Sequence, residues 1–177
     1  MMTAKVIGGD KLLKKFEKMG DEAPKIFKDV VDDTAIYMHS KAVGYIGQNV
    51  KTGTGHLKQS MYFDLSGADF ALVGNRAEYA GYVEFGTGMK TQVPQEFSGI
   101  ANAIRSNPKK SFKEGLKAIK DWCKRLGIDV KAAYPIFMSI LRDGVRPRPF
   151  MYPAYRAGIG YIAKEGAKAL NKLTKIK

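Results

Sequence analysis

A long helical periodicity near the start of the chain most constrains its fold. From Asp10 onward, apolar residues recur at steps of three and four, the spacing of one face of an α-helix. Asp10 is a suitable N-cap, and Pro24 either begins a second helix in its first turn or kinks a single long one. We predict that residues 10–46 form the main helical mass, ending near Gly44 or Gly47. The residues that carry the pattern are Leu12, Phe16, Met19, Ala23, Ile26, Phe27, Val30, Thr34, Tyr37 and Met38.

Three stretches with strand-like alternation follow this helix. Residues 57–66 and 68–74 alternate apolar and polar side chains around a Ser-Gly-Ala-Asp turn, which predicts an antiparallel hairpin. Residues 79–85 alternate again and run into Gly86-Thr87-Gly88, which predicts a central strand that ends in a glycine turn. Residues 3–9 fit a short strand or an arm. Three strands beside a long helix indicate an α+β fold with a small antiparallel sheet.

The second half of the chain predicts an insertion. Residues 88–110 are turn-rich, so we expect a long mobile loop with a short helix around Ile100–Arg105. Helical spacing at 112–127 and at 130–141 predicts a helical hairpin inserted between two strands of the sheet. The apolar positions of its second helix are Val130, Tyr134, Phe137, Met138 and Leu141. We therefore predict a single α+β domain over residues 1–177, in which 88–144 is a loop plus a helical insertion.

Three prolines in seven residues mark the segment that follows. Pro147, Pro149 and Pro153 enforce an extended path and remove backbone donors, so the segment suits a sheet edge or a subunit surface. Arg146 and Arg148 would be held there on a stiff backbone, in good geometry for carboxylate or phosphate. After Pro153 the spacing predicts a C-terminal helix, which is strongly basic.

Composition limits the possible classes of function. The net charge of +13 and the pI near 9.7 favour polyanionic or acidic partners. The excess is mostly lysine spread along the chain, which favours a general field over dedicated nucleic-acid recognition. No apolar run is long enough to span a membrane, and the N-terminus lacks the features of a signal peptide. One cysteine, Cys123, and two histidines make a zinc site improbable and point to synthesis in a reducing cytoplasm.

No catalytic constellation assembles from the sequence. There is no paired-carboxylate motif, nucleophile elbow, metal-ligand spacing or dinucleotide fingerprint. Glu84 is the best candidate acid, but a catalytic role would need a partner that the sequence does not show. We favour an ion pair between Glu84 and Arg146 or Arg148, within the domain or across an interface. We expect no enzyme activity, no cofactor and no metal.

Three motifs occur in an order that resembles one protein family. They are Thr52-Gly-Thr-Gly-His-Leu-Lys-Gln-Ser60, Tyr79-Ala-Gly-Tyr-Val-Glu-Phe-Gly-Thr87 and Arg146-Pro-Arg-Pro-Phe-Met-Tyr-Pro-Ala154. Together they resemble the tail-completion, or head–tail joining, proteins of long-tailed bacteriophages and prophages. The resemblance covers most of the chain, but the helical stretch 112–143 varies in that family and receives no role from it.

The resemblance implies a structural virion protein of the head–tail junction. Such a protein would assemble in the host cytoplasm into a ring, which the resemblance implies is six-fold. The ring would dock on the tail tube and on the head connector or stopper. DNA would pass through it transiently, no membrane would be involved, and the isolated protein could be a monomer. The alternative is a DNA-binding protein that uses the basic C-terminal helix. The expected interface residues are Tyr79, Glu84, Phe85, Gly86, Thr87, Arg146, Arg148 and Phe150.

Overall fold

The protein folds into two compact units in a computed structural model that describes residues 2–7, 22–50, 55–87, 93–106 and 111–175. One unit comprises Met1–Ala80 with Pro149–Lys177, and the other comprises Gly81–Arg148. Short 3-10 turns lie at Gln95–Phe97 and Val130–Ala132. The regular elements are β1 (Met2–Ile7), α1 (Glu22–Asn49), α2 (His56–Gln59), β2 (Met61–Asp64), β3 (Phe70–Asn75), α3 (Ala80–Phe85), α4 (Ser98–Arg105), α5 (Phe112–Arg125), α6 (Ala133–Asp143) and α7 (Met151–Lys175).

The sheet of the first unit has three antiparallel strands in the order β1-β3-β2. Asn75 at the end of β3 is opposite Met2 on one side and Met61 on the other, so both outer strands start at the same level. β3 is therefore the central strand, and its Ala71 and Val73 are fully buried. Helix α1 packs against β2 and β3. The predicted α+β class and the hairpin of β2 and β3 are confirmed.

Helix α1 buries one continuous face. Its Pro24 lies in the first turn, where a missing backbone N–H costs nothing, and the helix ends at Asn49, two residues beyond Gly47. The predicted helix is confirmed from Glu22 onward, while the predicted stretch 10–21 with its Asp10 cap lies outside the described residues. The buried residues recur at helical spacing, as predicted: Ala23, Phe27, Val31, Thr34, Ala35, Met38, Ala42 and Ile46.

Helix α7 packs closely along α1. The rings of Tyr37 and Tyr161 stack with centroids 4.3 Å apart and planes 13° from parallel. A Cβ atom added at Gly158 would lie 2.5 Å from Cγ of Met38, so the missing side chain permits the close approach of the two helices. The helix begins at Met151, two residues before Pro153, whereas the sequence predicts that it begins after that proline. Pro153 lies in its first turn.

The described residues of the second unit form helices and connecting segments, with no strand among them. The helical hairpin predicted for 112–141 is confirmed as α5 and α6. A capping box begins α5: the Ser111 hydroxyl accepts from the backbone N–H of Glu114, and the Glu114 carboxylate accepts from the backbone N–H of Ser111. Phe112 packs edge-on against Phe137 with centroids 5.0 Å apart, and Cys123 is fully buried as a packing residue.

The strand predicted for residues 79–85 is wrong, because Ala80–Phe85 is the helix α3. The residues buried in this region are Ala77, Ala80, Gly81, Glu84 and Phe85, whose spacing is that of a helix. The third strand of the sheet is β1, which precedes α1. The prediction that all three strands follow the long helix in chain order is therefore also wrong. Because β3 is the last strand in the described part of the chain, the helical hairpin does not lie between two strands. It follows the sheet and precedes α7.

The short helix predicted around Ile100–Arg105 is confirmed as α4. Residues 88–92 and 107–110 of the predicted mobile loop lie outside the described residues. Of the helices described, none combines the length and the apolar character that crossing a membrane would need.

Candidate interaction site

The first motif and the start of the second meet at a corner of the first unit. Gly55 adopts a left-handed backbone conformation with φ of 78° and begins α2. This turn places Nδ1 of His56 3.2 Å from the hydroxyl of Tyr79 and 3.4 Å from that of Ser60. Two motifs that are twenty residues apart in sequence are therefore joined through exposed polar side chains.

Asn75 fixes this corner from within. Its side chain is fully buried, donates to the backbone carbonyl of Leu57 at 2.7 Å and accepts from the backbone N–H of Ala77 at 2.9 Å. The N–H of Arg76 also donates to the carbonyl of Ser60 at 2.9 Å. Because a buried amide must satisfy its hydrogen bonds, these contacts hold the chain leaving β3 against α2.

In the second unit, the end of α3 is held by a cation. A guanidinium nitrogen of Arg105, on α4, donates to the carbonyl of Phe85 at 2.6 Å. A cation at the C-terminus of a helix interacts favourably with the exposed carbonyls and the negative end of the helix dipole. The Phe85 ring lies 6.3 Å from that of Phe97, and Glu84 beside it is only 2% exposed. This end of α3 is therefore a structural element inside the unit.

A glycine turn then joins the second motif to the start of the third. Gly86 has φ of 70°, and a Cβ atom there would lie 2.4 Å from the carbonyl oxygen of Val145 and 2.9 Å from the nitrogen of Pro147. Glycine is the residue that permits both the left-handed backbone and this close approach. We call the contact of residues 83–87 with residues 145–148 the EFGT joint.

Three hydrogen bonds close the EFGT joint. The backbone N–H of Thr87 donates to the carbonyl of Val145 at 3.0 Å, and the N–H of Val145 donates to the Thr87 hydroxyl at 2.8 Å. The N–H of Arg148 donates to the carbonyl of Val83 at 2.7 Å. The extended segment predicted at the prolines is thus paired with a helix end and a turn, and the expected sheet edge is not found there in the described structure.

Residues 10–86 match the model of one protein family, HK97-gp10_like, described as "Bacteriophage HK97-gp10, putative tail-component". The match covers 77 of the 177 residues, so the chain is similar to this family over less than half of its length. The match includes the first motif and all but the last residue of the second, and it confirms the phage family predicted from the motifs. No curated protein and no solved structure matches the chain.

The family match supports a structural phage protein of the virion. The eight expected interface residues of the protein fall into two groups in the structure. Four are buried, namely Glu84, Phe85, Gly86 and Phe150, and four are exposed or half-buried, namely Tyr79, Thr87, Arg146 and Arg148. In this conformation only the second group offers side chains to a partner. The ion pair expected between Glu84 and Arg146 or Arg148 stays a prediction.

Phe150 anchors the start of α7. It is fully buried together with Met151 and Ala154 of the third motif, and the Asn49 side chain donates to the Pro149 carbonyl at 3.0 Å. The phenylalanine ring of this motif therefore serves the core of the first unit.

Sequence reasoning misses two features of the protein. One is Asn75, although an asparagine that ends a buried strand is a recognisable signal of a polar anchor. The other is the exposure of α6: of its predicted apolar positions Phe137 is buried, whereas Tyr134, Met138 and Leu141 are exposed. The i, i+4, i+7 spacing places these three on one face of the helix, but it does not show that the face is outward.

Two charged groups have shifted pKa values. Hydrogen bonds from the backbone and side chain of Ser66 lower the pKa of Asp64, with a smaller contribution from the charge of Lys28. Hydrogen bonding to Asp143 raises the pKa of Arg142. Among the described residues, no three His, Cys, Asp or Glu side chains are grouped so that they could hold a metal ion.

Proposed function

We propose that this protein acts at the head–tail junction of a phage as a tail-completion, or neck, protein. Copies associate into a ring, expected to be hexameric, that docks on the tail tube or on the head connector and stopper. The observation that carries this proposal is the EFGT joint. It brings the second and third family-like motifs together and leaves two arginines facing outward on a restrained backbone.

The geometry of the EFGT joint favours a role in binding. The backbone of the segment is held at Val145 and Arg148 by hydrogen bonds, and prolines restrict the residues between and after them. The side chains of Arg146 and Arg148 remain exposed. An arginine on a preorganised backbone loses less freedom when it pairs with a carboxylate of a partner, so the segment suits docking on an acidic surface.

The test is complementation of a phage or prophage that encodes this chain and lacks a functional copy. We expect the double variant Arg146→Ala/Arg148→Ala to produce filled heads and finished tails that remain unjoined. Plaque yield should fall about tenfold or more, since arginines are often the residues that dominate the binding energy of an interface. Electron microscopy of lysates would count joined and unjoined particles, and thermal unfolding of the purified variant should match wild type.

The matched control is Arg156→Ala, which removes an exposed arginine from α7 outside the EFGT joint. It should join heads to tails normally. Normal joining by the double variant would contradict the assigned surface, and normal particles from phage lacking the protein altogether would contradict the proposed function. Glu84→Ala is a weaker test, because Glu84 is buried and its removal also perturbs the fold.

The DNA-binding alternative rests on the basic face of α7, which exposes Arg156, Lys164, Lys168 and Lys172. The family match gives it no support. A defect limited to DNA retention, with heads and tails joined, would favour it over the neck role.

A further inference from the structure

Helix α5 carries a stripe of four lysines on one exposed face. The residues stand at i, i+4, i+7 and i+11, which aligns them along the helix. In the described part of the chain none of the four has an ion-pair partner. Asp121 is exposed beside Lys117 and Lys120, and the other nearby acids, Glu114, Asp129 and Asp143, are engaged by local caps and by Arg142, so positive charge predominates on this face. We call Lys113, Lys117, Lys120 and Lys124 the lysine stripe.

Helix α6 carries an exposed apolar stripe. Tyr134, Met138 and Leu141 stand at i, i+4 and i+7 and are 55%, 41% and 56% exposed. Such large side chains clustered on one exposed face are typical of a surface that is covered by a partner. We call these three residues the apolar stripe.

The two stripes point to the same side of the hairpin. The two helices of the hairpin meet through Phe112 and Gly115 of α5 and Phe137 of α6. With about 100° between successive residues, the lysine stripe is rotated roughly 140° and the apolar stripe roughly 70° from these meeting sides, in the same sense along the chain. Because the helices of an αα-hairpin run in opposite directions, rotations in the same sense from their meeting sides bring both stripes to one side of the hairpin.

The first unit carries a surface of opposite character. Asp29, Asp33 and Ile36 stand at i, i+4 and i+7 on an exposed face of α1. Next to them, Phe63 of the outer strand β2 is 43% exposed and packs against His39, one turn beyond Ile36. We call these residues, together with the exposed Asp64, the acidic patch.

Among the described residues, the cations near the acidic patch do not neutralise its carboxylates. Lys28 pairs with Asp32 and also donates to the carbonyl of Leu65 at 2.8 Å, so its charge is engaged beside the patch. Lys25 lies one turn before Asp29 on the same exposed face. Against it stand the carboxylates of Asp29, Asp33 and Asp64.

We propose that the α5–α6 hairpin of one copy docks on the acidic patch of a second copy. Each surface combines exposed apolar residues with a row of charges, and the charges are opposite in sign. Residues seven positions apart in a helix lie about 10 Å apart, so the apolar stripe and the acid row of α1 are of equal length. Tyr134 is the expected anchor, since aromatic residues dominate the binding energy of such interfaces.

This contact is head-to-tail, because it joins two different surfaces. A heterologous contact of this kind generates a ring when its rotation closes. The inference therefore rests on the proposed function and names the surfaces that build the ring.

The test uses two variants that each destroy one surface. Met138→Asp/Leu141→Asp removes the hairpin surface, and Asp29→Lys/Asp33→Lys reverses the patch. In sedimentation equilibrium, wild type should form oligomers whose mass rises with concentration and falls with salt, while each variant alone should remain monomeric. An equimolar mixture of the two retains one intact interface, so it should form a 1:1 dimer and nothing larger.

Ile100→Asp is the control for charge placed on an exposed apolar side chain, since Ile100 on α4 is 54% exposed. It should associate like wild type, and circular dichroism should show all variants folded. A wild type that stays monomeric at about 1 mM, where even a weak interface is populated, would overturn the inference. A mixture that remains monomeric would do the same.

DNA is the other candidate occupant of the lysine stripe. Binding of a short duplex that Lys117→Glu/Lys120→Glu abolishes, with no self-association, would overturn the proposed docking in favour of a polyanion. A result that overturns the proposed docking between copies can be distinguished from a result that overturns the neck role. If Arg146→Ala/Arg148→Ala blocks joining while the pure protein stays monomeric, the ring surfaces are misassigned and the neck role stands.

Discussion

The two units of the protein use their apolar residues differently. In the first unit, the long helices α1 and α7 bury most of theirs against each other, and α1 also packs on the sheet, although Ile36 and Ile159 are exposed. In the second unit, four helices of six to fourteen residues leave more of their large apolar side chains exposed, among them Ile100, Phe112, Tyr134 and Leu141. The first unit therefore has the larger apolar core, and the second has the larger exposed apolar surface.

The comparison also explains where backbone precision is needed. The first unit achieves its close helix packing with Gly158, whereas the second depends on the left-handed Gly86 to close the EFGT joint. Gly158 affects the packing of the core of the first unit. Gly86 affects the path of the segment that carries the exposed arginines. Substitutions at the two positions should therefore separate the two units experimentally.

The largest effect is expected for Gly86→Ala. The new Cβ must occupy a left-handed backbone and meets the Val145 carbonyl, so we expect the second unit to lose about 2–4 kcal/mol from the two costs together. Trp122, the single tryptophan, lies on α5 and reports this unit by fluorescence during urea unfolding. Gly44→Ala in α1 is the control, because nothing lies within 4 Å of its Cβ. Equal urea midpoints for the two variants would show that the EFGT joint is not rigid.

A smaller effect is expected for Gly158→Ala in the first unit. The added methyl would press on the buried Met38, and overpacking of this kind costs about 1–3 kcal/mol. Gly160→Ala, two residues along the same helix, meets nothing within 4 Å and should stabilise the protein by about 0.5–1 kcal/mol. Thermal unfolding by circular dichroism would measure both. Destabilisation by Gly160→Ala as well would mean that helix propensity does not govern that position.

The smallest effect concerns the pH dependence of the turn after β2. The pKa of Asp64 is lowered below its ordinary value of 3.8, so its ionised form stabilises the fold above that pH, and the contribution disappears as pH falls through the lowered pKa. Asp64→Asn should therefore be less stable than wild type at neutral pH, and the difference should close toward pH 3 and below. Asp69→Asn, in the same turn, serves as the control. A difference that persisted unchanged at low pH would exclude the Asp64 carboxylate as its source.

Much of the fold was accessible from sequence because its helices are strongly periodic. The spacing locates α1, α5, α6 and α7, and the turn at Ser66–Asp69 locates the hairpin of β2 and β3. Helix α3 is hidden in the sequence because, apart from Phe85, the residues that it buries are small or charged. Ala80, Gly81 and Glu84 carry no hydrophobic signal, whereas the large side chains around them happen to alternate.

The site was only partly accessible for a related reason. The motifs directed attention to residues 79–87 and 146–154, and the structure pairs Val83 and Thr87 with the segment that begins at Val145. Burial of Glu84 and Phe150 depends on tertiary packing, which one sequence does not reveal. Outward placement of Tyr134, Met138 and Leu141 likewise depends on which face of α6 the partner helix covers.

The short outer strand β2 has a consequence for how the protein can be stored before assembly. It offers only four residues of backbone and ends at the exposed Asp64, and short edges with charged side chains resist pairing with a further strand. Pairing of copies through the β2 edge of the sheet is therefore disfavoured, and this edge does not promote cross-β aggregation when the protein accumulates before assembly.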